Sequence, residues 1–234
     1  MKKFILLPFL GVFLSLVILA NAYPATASSA PLPLAVPAKE VALTFDDGPY
    51  GTSTQQVLDI LEQEHVHATF FLVGKNVEKY PALAKEIVAD GNMIGNHTYD
   101  HPKDLTKMSL SRMRKELSGA EAAIASTTGV HATLFRPPYG NLTKKLRARI
   151  QKEGYTIVMW NVDPTDWDYT HSSSTVIEQN VLHHLMPHII LLLHDGRDIH
   201  VGYPRDNMVT ALPLIIKDLK QHGYTFVSAD KLAH

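Results

Sequence analysis

Cysteine is absent from all 234 residues. No disulfide can staple the fold, so stability has to come from burial of an apolar core, and no lipid-anchor thiol follows the start of the chain. An excess of either charge is missing too: 22 Lys and Arg face 23 Asp and Glu, for a formal net charge of −1, with no long block of one sign. So balanced a chain lacks the electrostatic footprint of nucleic-acid binding or of an anionic membrane face, and a neutral substrate or a locally charged site suits it better. The phosphate-cradling patterns GxxxxGK(S/T) and GxGxxG do not occur, which removes support for a nucleotide cofactor. There is no repeat of fixed period and no heptad pattern, and nothing implies a protein partner.

What is present begins with 45% hydrophobic residues, enough at this length for one domain with a sizeable core. Residues 1–22 stand apart. Lys2 and Lys3 form a basic start, Phe4 to Ala20 is almost wholly apolar, and Ala20-Asn21-Ala22 offers small residues for cleavage, the pattern of a secretory signal peptide. The apolar run approaches the length of a membrane span, so an uncleaved anchor is the alternative. Residues 23–39, rich in Ala, Ser and Pro, have no hydrophobic period and read as a flexible linker. The domain is then residues 40–234, in a protein that is secreted, periplasmic or wall-associated, with membrane contact only if the leader stays on.

Apolar runs of strand length recur at Val41 to Phe45, Ala68 to Val73, Met93 to Gly95, Thr133 to Phe135, Thr156 to Trp160, Ile189 to Leu193 and Thr225 to Val227. Helical spacing separates them at Thr54 to Glu64, Val77 to Ala89, Ser109 to Ser126, Thr143 to Glu153, Thr175 to Leu185 and Asn207 to Gln221. The alternation predicts an α/β fold with about seven largely parallel strands. Periodicity does not separate an open sheet from a barrel, but the polar residues do more. Asp46 and Asp47, His97, Arg136, Asp163 and Asp166, and His194 and Asp195 each follow a strand, as active-site residues do at the C-terminal rim of a (β/α) barrel.

Several of these stretches carry chemistry. His97 and His101 are four residues apart, so a helical turn would aim both imidazoles at one cation. A third ligand from Asp46 or Asp47 gives an Asp-His-His set suited to Zn²⁺ or a similar divalent ion. In Phe135 to Gly140, FRPPYG, the double proline stiffens a loop that could pair Arg136 with a carboxylate and aim a backbone N–H at developing negative charge. The stretch WNVDPTDW holds both tryptophans beside Asp163 and Asp166, which fits core packing or the floor of a sugar groove. His194 ends a buried strand, where a carboxylate such as Asp166 would raise its pKa and suit it to general-acid work. Gly48 is expected to let the chain turn away after the two aspartates.

Five segments thus stand in order: TFDDG at Thr44 to Gly48, HTxxH at His97 to His101, RPPYG at Arg136 to Gly140, DxxDW at Asp163 to Trp167, and LxH at Leu192 to His194. Together they resemble the motif set of the polysaccharide deacetylases of carbohydrate esterase family 4, the NodB-homology domain, from Val41 to Val227. The resemblance implies a distorted, TIM-like (β/α) barrel with the site at the strand C-terminal ends, and metal-dependent removal of acetyl groups from an acetylated amino-sugar polymer such as peptidoglycan or a chitin-like chain. It assigns Asp47, His97 and His101 to the metal, zinc first, with cobalt, nickel or manganese as alternatives. It makes Asp46 the base, oriented by Arg136, and has the Tyr139 backbone N–H share the oxyanion. His194, supported by Asp166, becomes the acid, and Trp167 and Leu192 wall the acetyl pocket. The intact Asp-Asp pair points to N-acetylglucosamine rather than muramic acid.

Two other readings compete: an O-acetyl esterase of xylan or another acetylated glycan, and a glycan-binding wall protein without turnover. The remaining histidine pairs, His65 with His67 and His183 with His184, read as surface or half-buried groups rather than a second metal site. The glycosylation patterns at Asn96 and Asn141 read as incidental, and His200 to Asn207 as a polar loop near the substrate.

Overall fold

Strand β1, Glu40–Asp46, is buried from Val41 onward, because it has a strand or a helix on every side. Its full length pairs in parallel with β6, His188–His194, from Glu40 opposite His188 to Asp46 opposite His194. The other edge is divided: β7, Thr225–Phe226, pairs with Glu40 and Val41, and β2, Thr69–Leu72, pairs with Thr44 to Asp46. The sheet continues through β3, Met93–Asn96, and β4, Leu134–Phe135, to β5, Thr156–Ile157, every pairing parallel. Just beyond β5, Val162 bridges to Leu191 of β6, so one extended segment touches both ends of the sheet. This computed structural model describes residues 38–196 and 205–233, and within them the seven strands form the expected distorted (β/α) barrel.

Strand parity sorts the side chains of β1 between two environments. Val41, Leu43 and Phe45 enter the large core beneath the helices, whereas Ala42 joins Phe71, Leu134 and Val158 in a smaller cluster on the opposite face. Thr44 and Asp46 share the parity of Ala42, so the strand itself delivers a hydroxyl and then a carboxylate to that inner face. The helical layer comprises α1 (Gly51–Gln63), α2 (Gly74–Lys79), α3 (Pro81–Ala89), α4 (Leu110–Thr128), α5 (Lys144–Lys152), α6 (Ser174–His183) and α7 (Asp206–Gln221). The side chains of Ser109, Thr143 and Ser173 accept hydrogen bonds from the backbone N–H groups of Arg112, Leu146 and Val176, capping α4, α5 and α6. Such caps satisfy helix-end donors that would otherwise lack partners.

Some expectations need correction. The single helix expected over Val77 to Ala89 is two, because Pro81 opens a new helix and Tyr80 before it is held out of helical geometry at φ −126° and ψ 57°. The strand expected over Thr156 to Trp160 keeps ladder pairing only at Thr156–Ile157. The leader expected at 1–22, nearly all of the linker expected at 23–39, and residues 200–204 of the polar loop expected from His200 to Asn207 lie outside the described residues. Among the described residues no helix is long and apolar enough to cross a membrane.

Phe45 of β1 and Phe70 of β2 are register partners whose rings stack at 5.1 Å, both with no solvent exposure. Replacing Phe70 with Ala empties the centre of the large core, and denaturant unfolding should then read a loss of about 3–5 kcal/mol. A loss below 1 kcal/mol would show that this pair is not central to the core.

Candidate active site

The rim of the barrel gathers the polar residues. Asp46 ends β1, His97 follows β3, Arg136 follows β4 and His194 ends β6. Among the described residues Arg136 is the largest fully buried side chain. Its Nη1 donates to Asp46 Oδ1 and to Thr44 Oγ1, both at 2.8 Å. Nε donates to the Val158 carbonyl at 3.2 Å and Nη2 to the Met159 carbonyl at 3.3 Å. The guanidinium also lies over the Phe71 ring at 4.1 Å, a cation–π contact strengthened by exclusion of water. Burial draws Arg136 below its ordinary pKa, and Asp46 opposes that pull.

Asp47 leaves the strand in the left-handed region at φ 72°, which turns its side chain away from that of Asp46. The turn is held from behind, since Asn76 Nδ2 donates to the Asp47 carbonyl at 2.7 Å and the Val73 N–H donates to the Gly48 carbonyl at 2.9 Å. Gly48 serves a purpose other than the expected one. It is not among the glycines with positive φ, and a Cβ on it would collide with the Asp195 carboxylate at 2.3 Å. Space makes glycine necessary there, and Asp47 makes the turn.

His97 and His101 converge without a helix, correcting the expected helical turn. No helix covers 97–101. Instead Asn96 Oδ1 accepts from the Thr98 N–H at 2.8 Å, and Thr98 and His101 take positive φ values of 71° and 52°. The two rings end 5.0 Å apart. His97 Nδ1 donates to the Arg136 carbonyl at 2.7 Å, which fixes the tautomer and leaves Nε2 as a lone-pair donor facing the carboxylates. Asp47 Oδ1 lies 3.5 Å from that nitrogen and 3.1 Å from His101 Nε2. The oxygen is buried and accepts no hydrogen bond. Burial acts to raise the Asp47 pKa, yet His101 first and then His97 and His194 hold it well below the usual carboxylate value.

Ligand atoms from Asp47, His97 and His101 lie within 4.8 Å of one another, and all three residues are buried. Among the described residues no other group of His, Asp or Glu side chains forms such a cluster, so His65, His67, His183 and His184 make no second one. A buried, unpaired carboxylate oxygen facing two imidazole nitrogens is a donor set that fits a divalent cation of the zinc type. Asp46 stays back from this set, with Oδ2 at 3.8 Å from His97 Nε2 and Oδ1 on Arg136.

On the far side, Asp166 grips His194 twice. Its Oδ1 accepts from His194 Nδ1 and its Oδ2 from the His194 backbone N–H, both at 2.8 Å. Burial disfavours the imidazolium, but the Asp166 carboxylate outweighs it and the His194 pKa rises to about 9. These groups face a cavity of about 640 Å³ whose walls include Tyr139, Trp160, Trp167 and Leu192. Trp167 is 50% exposed, with Nε1 donating to Asp163, so it is part of the cavity wall and not of the core. Asn96, by contrast, is fully buried, with Nδ2 bonded to the Leu117 carbonyl and Tyr155 Oη, so its glycosylation pattern is indeed incidental.

Two residues of the site were given no chemical role from sequence. Asp195 is buried behind Asp47 and accepts from Thr54 Oγ1, and burial pushes its pKa up to about 7. Arg205 reaches the cavity wall from just before α7. From sequence Asp195 stood only among the polar residues at the strand ends, and Arg205 only within the polar loop expected near the substrate.

The sequence profile of the polysaccharide deacetylase family matches residues 34–158. A peptidoglycan-N-acetylglucosamine deacetylase of Bacillus cereus is 39% identical over 81% of this chain and 66% of its own length. The peptidoglycan-N-acetylglucosamine deacetylase PgdA of Listeria monocytogenes is 35% identical over 89% of this chain but only 42% of its own length. This chain therefore spans about two-fifths to two-thirds of those relatives. Among solved structures, the Bc1960 peptidoglycan N-acetylglucosamine deacetylase, in complex with a naphthalenyl N-hydroxybenzamide, superposes with a TM-score of 0.75 at 38% identity, covering 82% of this chain and 86% of that one. With the five motifs brought to one rim and most of the described fold shared with such relatives, the chain belongs to the polysaccharide deacetylase family, carbohydrate esterase family 4.

Proposed function

We propose that the protein is a metal-dependent deacetylase that hydrolyses N-acetyl groups on N-acetylglucosamine units of peptidoglycan or a chitin-like polysaccharide. One observation carries the reading: a carboxylate held by a buried arginine, an Asp-His-His set and a carboxylate-bound histidine all face one cavity. The names of the relatives support the substrate class.

Asp47 Oδ1, His97 Nε2 and His101 would hold the cation, zinc by the chemistry of the donors, with cobalt, nickel or manganese as alternatives. When bound, the cation supplies Lewis acidity, which acidifies water and polarises the acetyl carbonyl. Asp46 takes the proton of the attacking water. Arg136 holds Oδ1 of that carboxylate, leaving Oδ2 to face the reacting centre. As the new C–O bond forms, negative charge gathers on the former carbonyl oxygen, where the Tyr139 backbone N–H is assigned a share of it. The C–N bond then breaks, and His194 passes its proton to the departing sugar amine, giving acetate and a free amino group. An amine is a poor leaving group, so a dedicated acid held protonated by Asp166 favours N-acetyl over O-acetyl substrates. Trp167 and Leu192 wall the space for the acetyl methyl and the sugar face.

A wall polymer lies outside the cytoplasm, so the same proposal makes residues 1–22 a cleaved export signal and 23–39 a linker ahead of the catalytic domain. Cleavage after Ala22 predicts that exported protein begins at Tyr23, which the intact mass checks directly.

Acetate release should be seen from peptidoglycan or chitin oligomers, should exceed release from acetylated xylan, should vanish with chelator and should return with Zn²⁺. Asp46→Asn and Asp47→Ala are each expected to lower kcat/KM by about 10²–10⁴-fold. Full turnover by metal-stripped protein, or by Asp47→Ala, would sink the mechanism.

His194 has a raised pKa, so its acid form persists through neutrality and is lost as pH climbs through about 9. The alkaline limb of kcat/KM should therefore fall near that value. Removing the carboxylate with Asp166→Asn should pull the limb down by about 1–3 pH units. A limb that stays in place would assign the alkaline ionisation to another group.

A further inference from the structure

Arg205 belongs to none of the five motifs and has no part in the acid–base steps above, yet it is 6% exposed and lines the same cavity. Its Nε donates to the Gly196 carbonyl at 2.6 Å, and its Nη2 lies 3.7 Å from Asp47 Oδ2. Gly196 is itself pressed onto the Asp47–Gly48 peptide. Its N–H donates to the Asp46 carbonyl at 3.2 Å, and a Cβ at this position would come within 2.0 Å of the Asp47 carbonyl carbon and oxygen. One guanidinium thus reaches both the backbone packed behind Asp47 and the second oxygen of its carboxylate.

A carboxylate can offer a cation one oxygen or two, and it rotates between these choices unless something fixes it. Here Oδ1 faces His101 and His97 at 3.1 and 3.5 Å, while Oδ2 faces Arg205. The fork of a guanidinium can serve two acceptors in fixed directions at once, which the single ammonium of lysine cannot. We propose that Arg205 is a positioning residue for the metal-ligand set, tethering Asp47 Oδ2 and the Gly196 carbonyl so that Asp47 presents Oδ1 alone to the cation shared with His97 and His101. The two adjacent carboxylates then have one guanidinium each, Arg136 for Asp46 and Arg205 for Asp47. The inference rests on the metal-dependent reading above, but it concerns affinity for the ion rather than turnover.

Two effects oppose each other, and the sign of the result separates them. Tethering organises the ligand and tightens binding, whereas a cation beside the site repels the metal and loosens it. The test uses the full chain, stripped of metal, with Zn²⁺ affinity read by competition against a chromophoric chelator for wild type, Arg205→Lys and Arg205→Ala. The tether predicts that Arg205→Ala weakens Zn²⁺ binding about 10–100-fold, that Arg205→Lys falls between it and wild type, and that the rise in Tm on adding Zn²⁺ shrinks in the same order. A merely structural arginine would lower the Tm of stripped and loaded protein alike and leave Kd unchanged, and that result overturns the proposal. So does tighter binding by either variant, which would make repulsion the dominant effect. If Arg205→Ala does not fold, Arg205→Lys decides alone, and a Kd within about twofold of wild type counts against the tether. Wild-type protein that binds no Zn²⁺ and is active when stripped overturns the metal-dependent reading instead, a distinguishable outcome.

Discussion

The contact between Arg136 and Asp46 is the constraint on which the site is built. A guanidinium with no solvent exposure survives in a protein interior only when its donors are satisfied and its charge is balanced. Arg136 meets both conditions by drawing on three separate pieces of the barrel: Thr44 and Asp46 from β1, the carbonyls of Val158 and Met159 beyond β5, and the face of Phe71 from β2. Its own carbonyl then accepts from His97. One side chain and its peptide therefore fix the proposed base, the tautomer of one proposed metal ligand and the segment that carries both tryptophans. Removing one partner of such a buried pair strands the other charge, at a cost of about 3–5 kcal/mol, so folding and chemistry are tied together here.

Around that contact, two like charges share the end of one strand without mutual cost because each faces a different cation source. Parity turns Asp46 to the inner face, where Arg136 waits. The left-handed turn at Asp47 sends the second carboxylate toward two imidazoles and Arg205. The small residues nearby are consequences of this crowding: Gly48 makes room for Asp195, and Gly196 for the Asp47 peptide. Opposite them, Asp166 raises the His194 pKa, so the cavity has the proposed base on one wall and the proposed acid on the other. That separation is what the proposed amide hydrolysis requires.

Much of this was legible in the chain before any fold was known. The alternation of buried runs with helical spacing gave the parallel α/β class, and the polar residues after each run gave the rim. All ten residues singled out from the motifs lie at the rim or in the cavity wall beside it. The expectations that failed were local. A helical turn was expected from His97 to His101 because spacing of four is ambiguous, and the Asn96 side chain instead organises an irregular bend. One helix was expected where Pro81 divides two, although that proline was visible.

The sequence by itself determined most of the side chains the site would contain, because strand ends and motif order are local properties written along the chain. Only the tertiary structure decided which atoms face each other. It set Asp46 on Arg136 and Asp47 beside the imidazoles, a division that spacing left open and that only the motif resemblance had anticipated. It also brought in Arg205 across more than a hundred and fifty positions from Asp47, from a segment with no motif of its own. Contacts of that kind depend on how the barrel closes, with β6 laid along β1 and the segment after β5 returning to β6. Closure is a property of the packed sheet as a whole, and no single stretch of residues carries it.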